Sequence, residues 1–148
     1  MDWVDIRRTI EAYMFGVDAK DLDALLSCFA PEAEALYHMG SVDEKTVTGG
    51  EAIARGVFDS CSRFTASNHC ISNFVAREGV QEATTNTFAV AYVVIGSQGL
   101  VRGLRYEDSL KWRDDCWLIT RRVHTPLWQT TIDVEAPHFF EQAKLGAS

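Results

Sequence analysis

After Phe64 the spacing of apolar residues changes from three and four to two, and few folds accommodate that order. Before the change, Trp3, Ile6, Ile10, Tyr13, Met14 and Val17 share one face of a helix predicted over residues 2–19. Asp21 reads as the N-cap of a short second helix carrying Leu22, Leu25, Leu26 and Phe29, stopped before Pro31. A brief strand over 33–38 and a polar loop over 40–48 precede a third helix. Gly49-Gly50-Glu51 opens it, with Ile53, Val57, Phe58 and Cys61 as its apolar side. Beyond the change lie four long β-rich runs, 67–77, 80–95, 101–112 and 116–125, separated by short turns. Pro126 is expected to end regular pairing, leaving a tail over 126–148 with a short helix around His138 to Lys144.

Helices first and long hairpin-connected strands afterwards specify an α+β class, with the helices gathered on one face of a curved antiparallel sheet. Wrapped round its helices, such a sheet makes a cone-shaped barrel with a pocket between its concave face and the helix ends. Gly103 is a candidate bend point. The length, 148 residues, suits one domain over 1–148, with a core over about 3–125.

Several function classes are excluded or disfavoured. A net charge of −7 argues against a nucleic-acid partner. No run approaches the ~18 apolar residues a membrane helix needs, and the acidic N-terminus does not resemble a signal peptide. A cytoplasmic setting is therefore expected. Cys28, Cys61, Cys70 and Cys116 lack metal-site spacing and read as buried free thiols. No phosphate-binding glycine loop and no nucleophile elbow is present. Neither a metal nor a cofactor is expected.

The residues left to carry chemistry are few. At about 100° per residue, Tyr13 and Asp18 fall on opposite shoulders of the first helix's apolar stripe, with Met14 and Val17 between them. A carboxylate at the mouth of an apolar pocket has its pKa raised by desolvation; Asp18 equally suits a solvated helix end or a cap. Alternation places His69, Ile71, Asn73 and Val75 on one strand face. A histidine partnered by a carboxylate is a competent base, although a structural histidine fits the same position. In the last strand Trp117, Ile119, Arg121 and Val123 share a face, so Arg121 could stabilise an anion in an apolar wall or pair with Glu107, Asp108 or Asp18.

Taken in order, these segments resemble the SnoaL-like branch of the nuclear-transport-factor-2-like superfamily over residues 3–125. The resemblance rests on Tyr13 to Asp18, Asp21-Leu22-Asp23-Ala24-Leu25-Leu26, Phe29-Ala30-Pro31-Glu32-Ala33, Gly49 with Glu51-Ala52-Ile53, Asn68-His69, Gly103 to Asp108, and Trp117 to Val123. Within the branch the chain is similar to the group of scytalone dehydratase, bile-acid 7α-dehydratase and hexachlorocyclohexane dehydrochlorinase. Gly16-Val17-Asp18 resembles the segment bearing the dehydrochlorinase's aspartate, and His69 to Asn73 the segment bearing its histidine base. Arg121 matches its arginine, and Tyr13 matches a tyrosine of the bile-acid dehydratase. The resemblance implies a cofactor-independent lyase acting on a small, hydrophobic, cyclic compound. His69 would be the base, assisted by Asp18, Tyr13 and Arg121, with Asn73, Met14, Val17 and Trp117 in contact with substrate. It also implies a homo-oligomer, trimer ahead of dimer, with the exposed sheet face (Phe88, Val90, Tyr92 and Trp112) as a contributor. An isomerase or polyketide cyclase, and a non-catalytic binding or assembly domain, are the other functions this fold supports.

Overall fold

Helix α1 spans Trp3–Ala19 and buries Ile6, Ile10, Tyr13, Met14 and Val17, the stripe that its spacing predicts. The structure, a computed structural model, describes residues 3–40 and 42–134. Lys20 closes α1 in the left-handed region, φ 54°, while the Asp21 amide donates to the Gly16 carbonyl at 2.9 Å. Asp21 then caps α2 (Leu22–Ser27), accepting from the Ala24 amide at 3.0 Å. Gly16 lets α2 pack close, since a Cβ there would meet the Leu25 side chain at 2.9 Å.

Helix α2 stops short of Phe29, which instead opens strand β1 (Phe29–His38). Pro31 sits inside that strand without harm. Pairing to one neighbour is irregular between Phe29 and Glu34, and pairing to the other starts at Glu34, so no ladder bond needs its missing N–H. The expected polar loop contains β2 (Glu44–Thr48), an edge strand whose only apolar residue is Val47. Its sequence gives no alternation to read. Helix α3 (Gly50–Cys61) buries Ile53, Ala54, Val57 and Cys61.

Strands β3 (Ala66–Glu78), β4 (Glu82–Ile95), β5 (Gln98–Arg113) and β6 (Cys116–Asp133) complete a six-stranded, curved, unclosed sheet in the order β2-β1-β6-β5-β4-β3. Every neighbouring pair is antiparallel except β1 and β6, which run parallel. Pro126 does not end β6, which continues to Asp133. The strand's pairing to β1 finishes at His124, and a register shift opposite Gly103 and Leu104 accommodates the proline. The predicted helix around His138 to Lys144 lies outside the described residues.

The concave face closes over α1 and α3 and forms the core. The convex face leaves Phe88, Tyr92, Trp128 and Ile132 exposed. Trp112, expected there, turns inward and meets Trp117 with ring centroids 5.6 Å apart. Among the described residues no helix is long and apolar enough to cross a membrane.

Candidate active site

Asp18 lies in the last turn of α1, and the closing turn fixes it there. Lys20, next but one, donates from Nζ to the Phe64 carbonyl at 2.6 Å, tying the helix end to the approach of β3. The first residues of β3 reach across the seam to the carboxylate. Ser67 Oγ donates to Asp18 Oδ1 at 2.8 Å, the His69 amide donates to Oδ2 at 2.6 Å, and His69 Nδ1 lies 2.7 Å from Oδ1. An ionised carboxylate only accepts, so the proton between them belongs on Nδ1 and Nε2 keeps its lone pair. Burial alone would raise the pKa of Asp18, but the hydrogen bonds from His69 and Ser67 outweigh it and hold the carboxyl below its ordinary value. The shift thus runs opposite to the one that desolvation predicts.

The His69 ring is one wall of a half-open cavity of about 250 Å³ between α1, α3 and the concave sheet. Tyr13 and Val17, one turn apart on α1, form a second wall, while Tyr37, Tyr106 and His124 come from adjacent strands. His124 on β6 pairs in register with Tyr37 on β1 and Tyr106 on β5, so all three rings share one row. Its imidazole meets them with centroids 5.6 and 5.1 Å apart. Burial, with the charges of Arg122 and Arg102, pushes the pKa of His124 down to about 4, so it is neutral at pH 7. Burial raises the phenols of Tyr13, Tyr106 and Tyr37, which stay protonated. It also pushes the Cys61 thiol up to about 11, too high for a thiolate nucleophile.

Beneath these rings lies a cation that the alternation does not reveal. Arg122 is fully buried and binds Asp108 through two hydrogen bonds, Nε to Oδ1 at 2.7 Å and Nη2 to Oδ2 at 2.9 Å. Its guanidinium carbon stands 4.0 Å from the Tyr13 ring centroid and 4.9 Å from that of Tyr106. Burial opposes its charge, but Asp108 more than offsets this, and the guanidinium stays protonated.

Four of the expected site residues stand elsewhere, two of them because of bulges. Between Ser109 and Leu110 on β5 the partner on β6 jumps from Arg121 to Ile119, so Thr120 is the extra residue of a bulge. Trp117 and Ile119 face inward as predicted, but beyond Thr120 the inward residues are Arg122 and His124, and Arg121 is exposed on the convex face. A second shift, between Ile71 and Asn73, bulges Ser72 and turns Asn73 outward. Arg121 and Asn73 line a convex-face hollow together, away from the cavity. Trp117 packs in the core against Trp112. Met14 lies on the seam side of α1 with Asp18, in a groove shared with His69 and Ile71. The sequence ranks His124 below His69, because no comparable polar group stands beside it on a predicted inner face, and sequence reasoning missed Arg122, Asp108, Tyr37 and Tyr106 as site residues. One signal was available: Asp108 stands in the row Leu104, Tyr106, Leu110, Trp112, and a carboxylate on a buried face requires a buried cation.

Residues 2–123 match the SnoaL-like domain. The chain belongs to the SnoaL-like family. Solved structures similar to this SnoaL-like chain include a provisionally assigned scytalone dehydratase from Novosphingobium aromaticivorans, at 20% identity and a TM-score of 0.77, covering 90% of this chain and 89% of that one. A hexachlorocyclohexane dehydrochlorinase from Novosphingobium barchaimii is 18% identical with a TM-score of 0.73, covering 87% and 88%. A protein from Kribbella flavida is 16% identical with a TM-score of 0.78, covering 87% and 93%. No curated protein matches the chain. The fold is the nuclear-transport-factor-2-like cone.

Proposed function

We propose that this SnoaL-like chain is a lyase that needs no cofactor and removes water or halide from a small cyclic compound. The observation that carries the reading is His69 Nδ1 held 2.7 Å from Asp18 Oδ1 while the same ring lines an apolar cavity. Asp18 fixes the tautomer, and Nε2 accepts a proton from carbon. The C–H electron pair becomes the new double bond as the leaving group departs with its own electrons. For a hydroxyl, the proton taken by His69 joins it as water; for a halide, the anion leaves as such and His69 returns its proton to solvent, so in both cases the enzyme is restored and no oxidant or reductant is consumed. Tyr13, protonated and on the adjoining wall, donates a hydrogen bond to a substrate oxygen. Arg122, paired with Asp108 behind the Tyr13 ring, supports that ring and is not among the residues lining the cavity, so it does not take the role expected of Arg121. The family and its dehydratase and dehydrochlorinase structural neighbours support a reaction of this type. All four cysteines are free thiols, Cys28 and Cys61 buried as expected but Cys70 and Cys116 exposed, and free thiols fit a cytoplasmic setting.

Incubation with a panel of cyclic β-hydroxyketones, read by mass spectrometry, tests the proposal. The expected product has lost water, and His69→Ala or Asp18→Asn slows its formation by about 10²–10⁴-fold, the range of general acid–base catalysis. A product of unchanged mass with a migrated double bond would instead identify an isomerase. Unaltered rates in both variants would remove His69 and Asp18 from the mechanism.

A further inference from the structure

The charge of the cavity is opposite to that of the chain. The protein carries a net −7, yet among the described residues the cavity is lined by Lys45 and Arg102 and by no aspartate or glutamate. Arg102 is placed there by register. On the concave face it pairs with Ala91 of β4, and Ala91 pairs with His69 of β3. His69, Ala91 and Arg102 therefore form one cross-strand row, its ends two strand spacings apart, ~10 Å along the sheet. The middle member is alanine, which leaves the space above the row open.

Arg102 is oriented, but no described carboxylate neutralises its charge. On its other side it faces Gln129, whose amide oxygen accepts from Nε at 3.1 Å. None of the ion pairs among the described residues uses Arg102 or Lys45. Arg122, by contrast, is matched by Asp108 at 2.7 Å. The charge of Arg102 also reaches into the cavity, where it contributes after burial and Arg122 to keeping His124 neutral. The volume, about 250 Å³, falls below the ~300–1,000 Å³ of sites for drug-sized ligands, so the occupant is small.

We propose that the substrate is a small cyclic carboxylic acid bound as its anion, with Arg102 holding the carboxylate and placing a C–H of the ring at His69. This rests on the reading of His69 as the base and supplies the handle that orients the substrate toward it. A guanidinium binds a carboxylate through paired, charge-assisted hydrogen bonds, which fix direction as well as position. Lys45, on exposed strand β2, adds positive potential that draws anions to a protein otherwise repelling them.

The test is equilibrium binding of cyclohexanecarboxylate and of its neutral isostere cyclohexanecarboxamide, followed by NMR shift titration. The acid is expected to bind at least about tenfold tighter than the amide, with the largest shifts at His69, Ala91 and Arg102. Arg102→Gln should abolish the preference for the acid over the amide, and Arg102→Lys, which keeps the charge, should retain most of it. Equal binding of acid and amide, absence of binding by either, or a preference that survives Arg102→Gln overturns the proposal. Turnover is not needed for this readout. Selective acid binding without turnover of any cyclic hydroxy acid would sink the lyase reading alone, and turnover of neutral hydroxyketones with equal binding of the two probes would sink only the anion.

Discussion

At the scale of single residues, the Arg122–Asp108 pair has the largest stake in the fold. Both side chains are completely buried, both carboxylate oxygens are used, and Arg122 Nη1 has no hydrogen-bond acceptor among the described residues. The ring of Tyr13 at 4.0 Å is what faces this charge in place of a further oxygen. Taking two charges out of water costs most of what their attraction returns, whereas removing one leaves the other stranded. Arg122→Met is thus expected to destabilise by about 3–5 kcal/mol, and Arg122→Met with Asp108→Leu to recover most of that loss. A double-mutant cycle by urea denaturation measures both, and additive losses would show that the pair is not coupled. The same residues mark what alternation could tell. Asp18 was legible only as one of several readings of a helix end, and the face of His69 was legible because it precedes the bulge at Ser72. Arg121 was chosen over Arg122 because one inserted residue, Thr120, exchanges the faces, and no residue type at that position announces a bulge.

At the scale of elements, the long strands and the two longer helices were legible because each buries one continuous face, whereas β2 was not, being a polar edge with a single apolar residue. The close approach of α3 to β1 was also hidden, since it depends on what Gly50 lacks. A Cβ on Gly50 would strike the carbonyl of Ala30, a backbone atom that cannot swing aside, and α3 supplies the Ile53, Val57 and Cys61 side of the cavity. Gly103 presents the contrasting case. There a Cβ would meet the indole of Trp128, a half-exposed side chain with freedom to move. Gly50→Ala is expected to cost about 1–3 kcal/mol, the range for overpacking, and Gly103→Ala clearly less. Thermal denaturation of the two variants side by side checks the order, and an equal or reversed order would mean that α3 can slide over β1.

At the scale of the whole molecule, the site lies on the seam where α1 and β3 meet, and its protonation state is part of the stability of the cone. His124 has a folded pKa of about 4 against an ordinary 6.5, so between those values the unfolded chain binds the extra proton. Stability from this group is complete above pH 6.5 and falls as the pH drops to about 4, by at most roughly 3 kcal/mol. Asp18 acts in the next window down. Its carboxyl is held below the ordinary value, so its contribution is present above about pH 4 and disappears as acid protonates it in the fold. Urea denaturation at a series of pH values should therefore show two successive declines in the wild type. His124→Gln is expected to flatten the upper one and leave the lower one, and Asp18→Asn to do the reverse. Each variant is compared with the wild type at every pH, so contributions common to both cancel. If His124→Gln keeps the full slope between pH 6.5 and 4, the neutral imidazole is not what acid attacks first. The row of Tyr37, His124 and Tyr106 would then have to tolerate a charge beside Arg122 and Arg102.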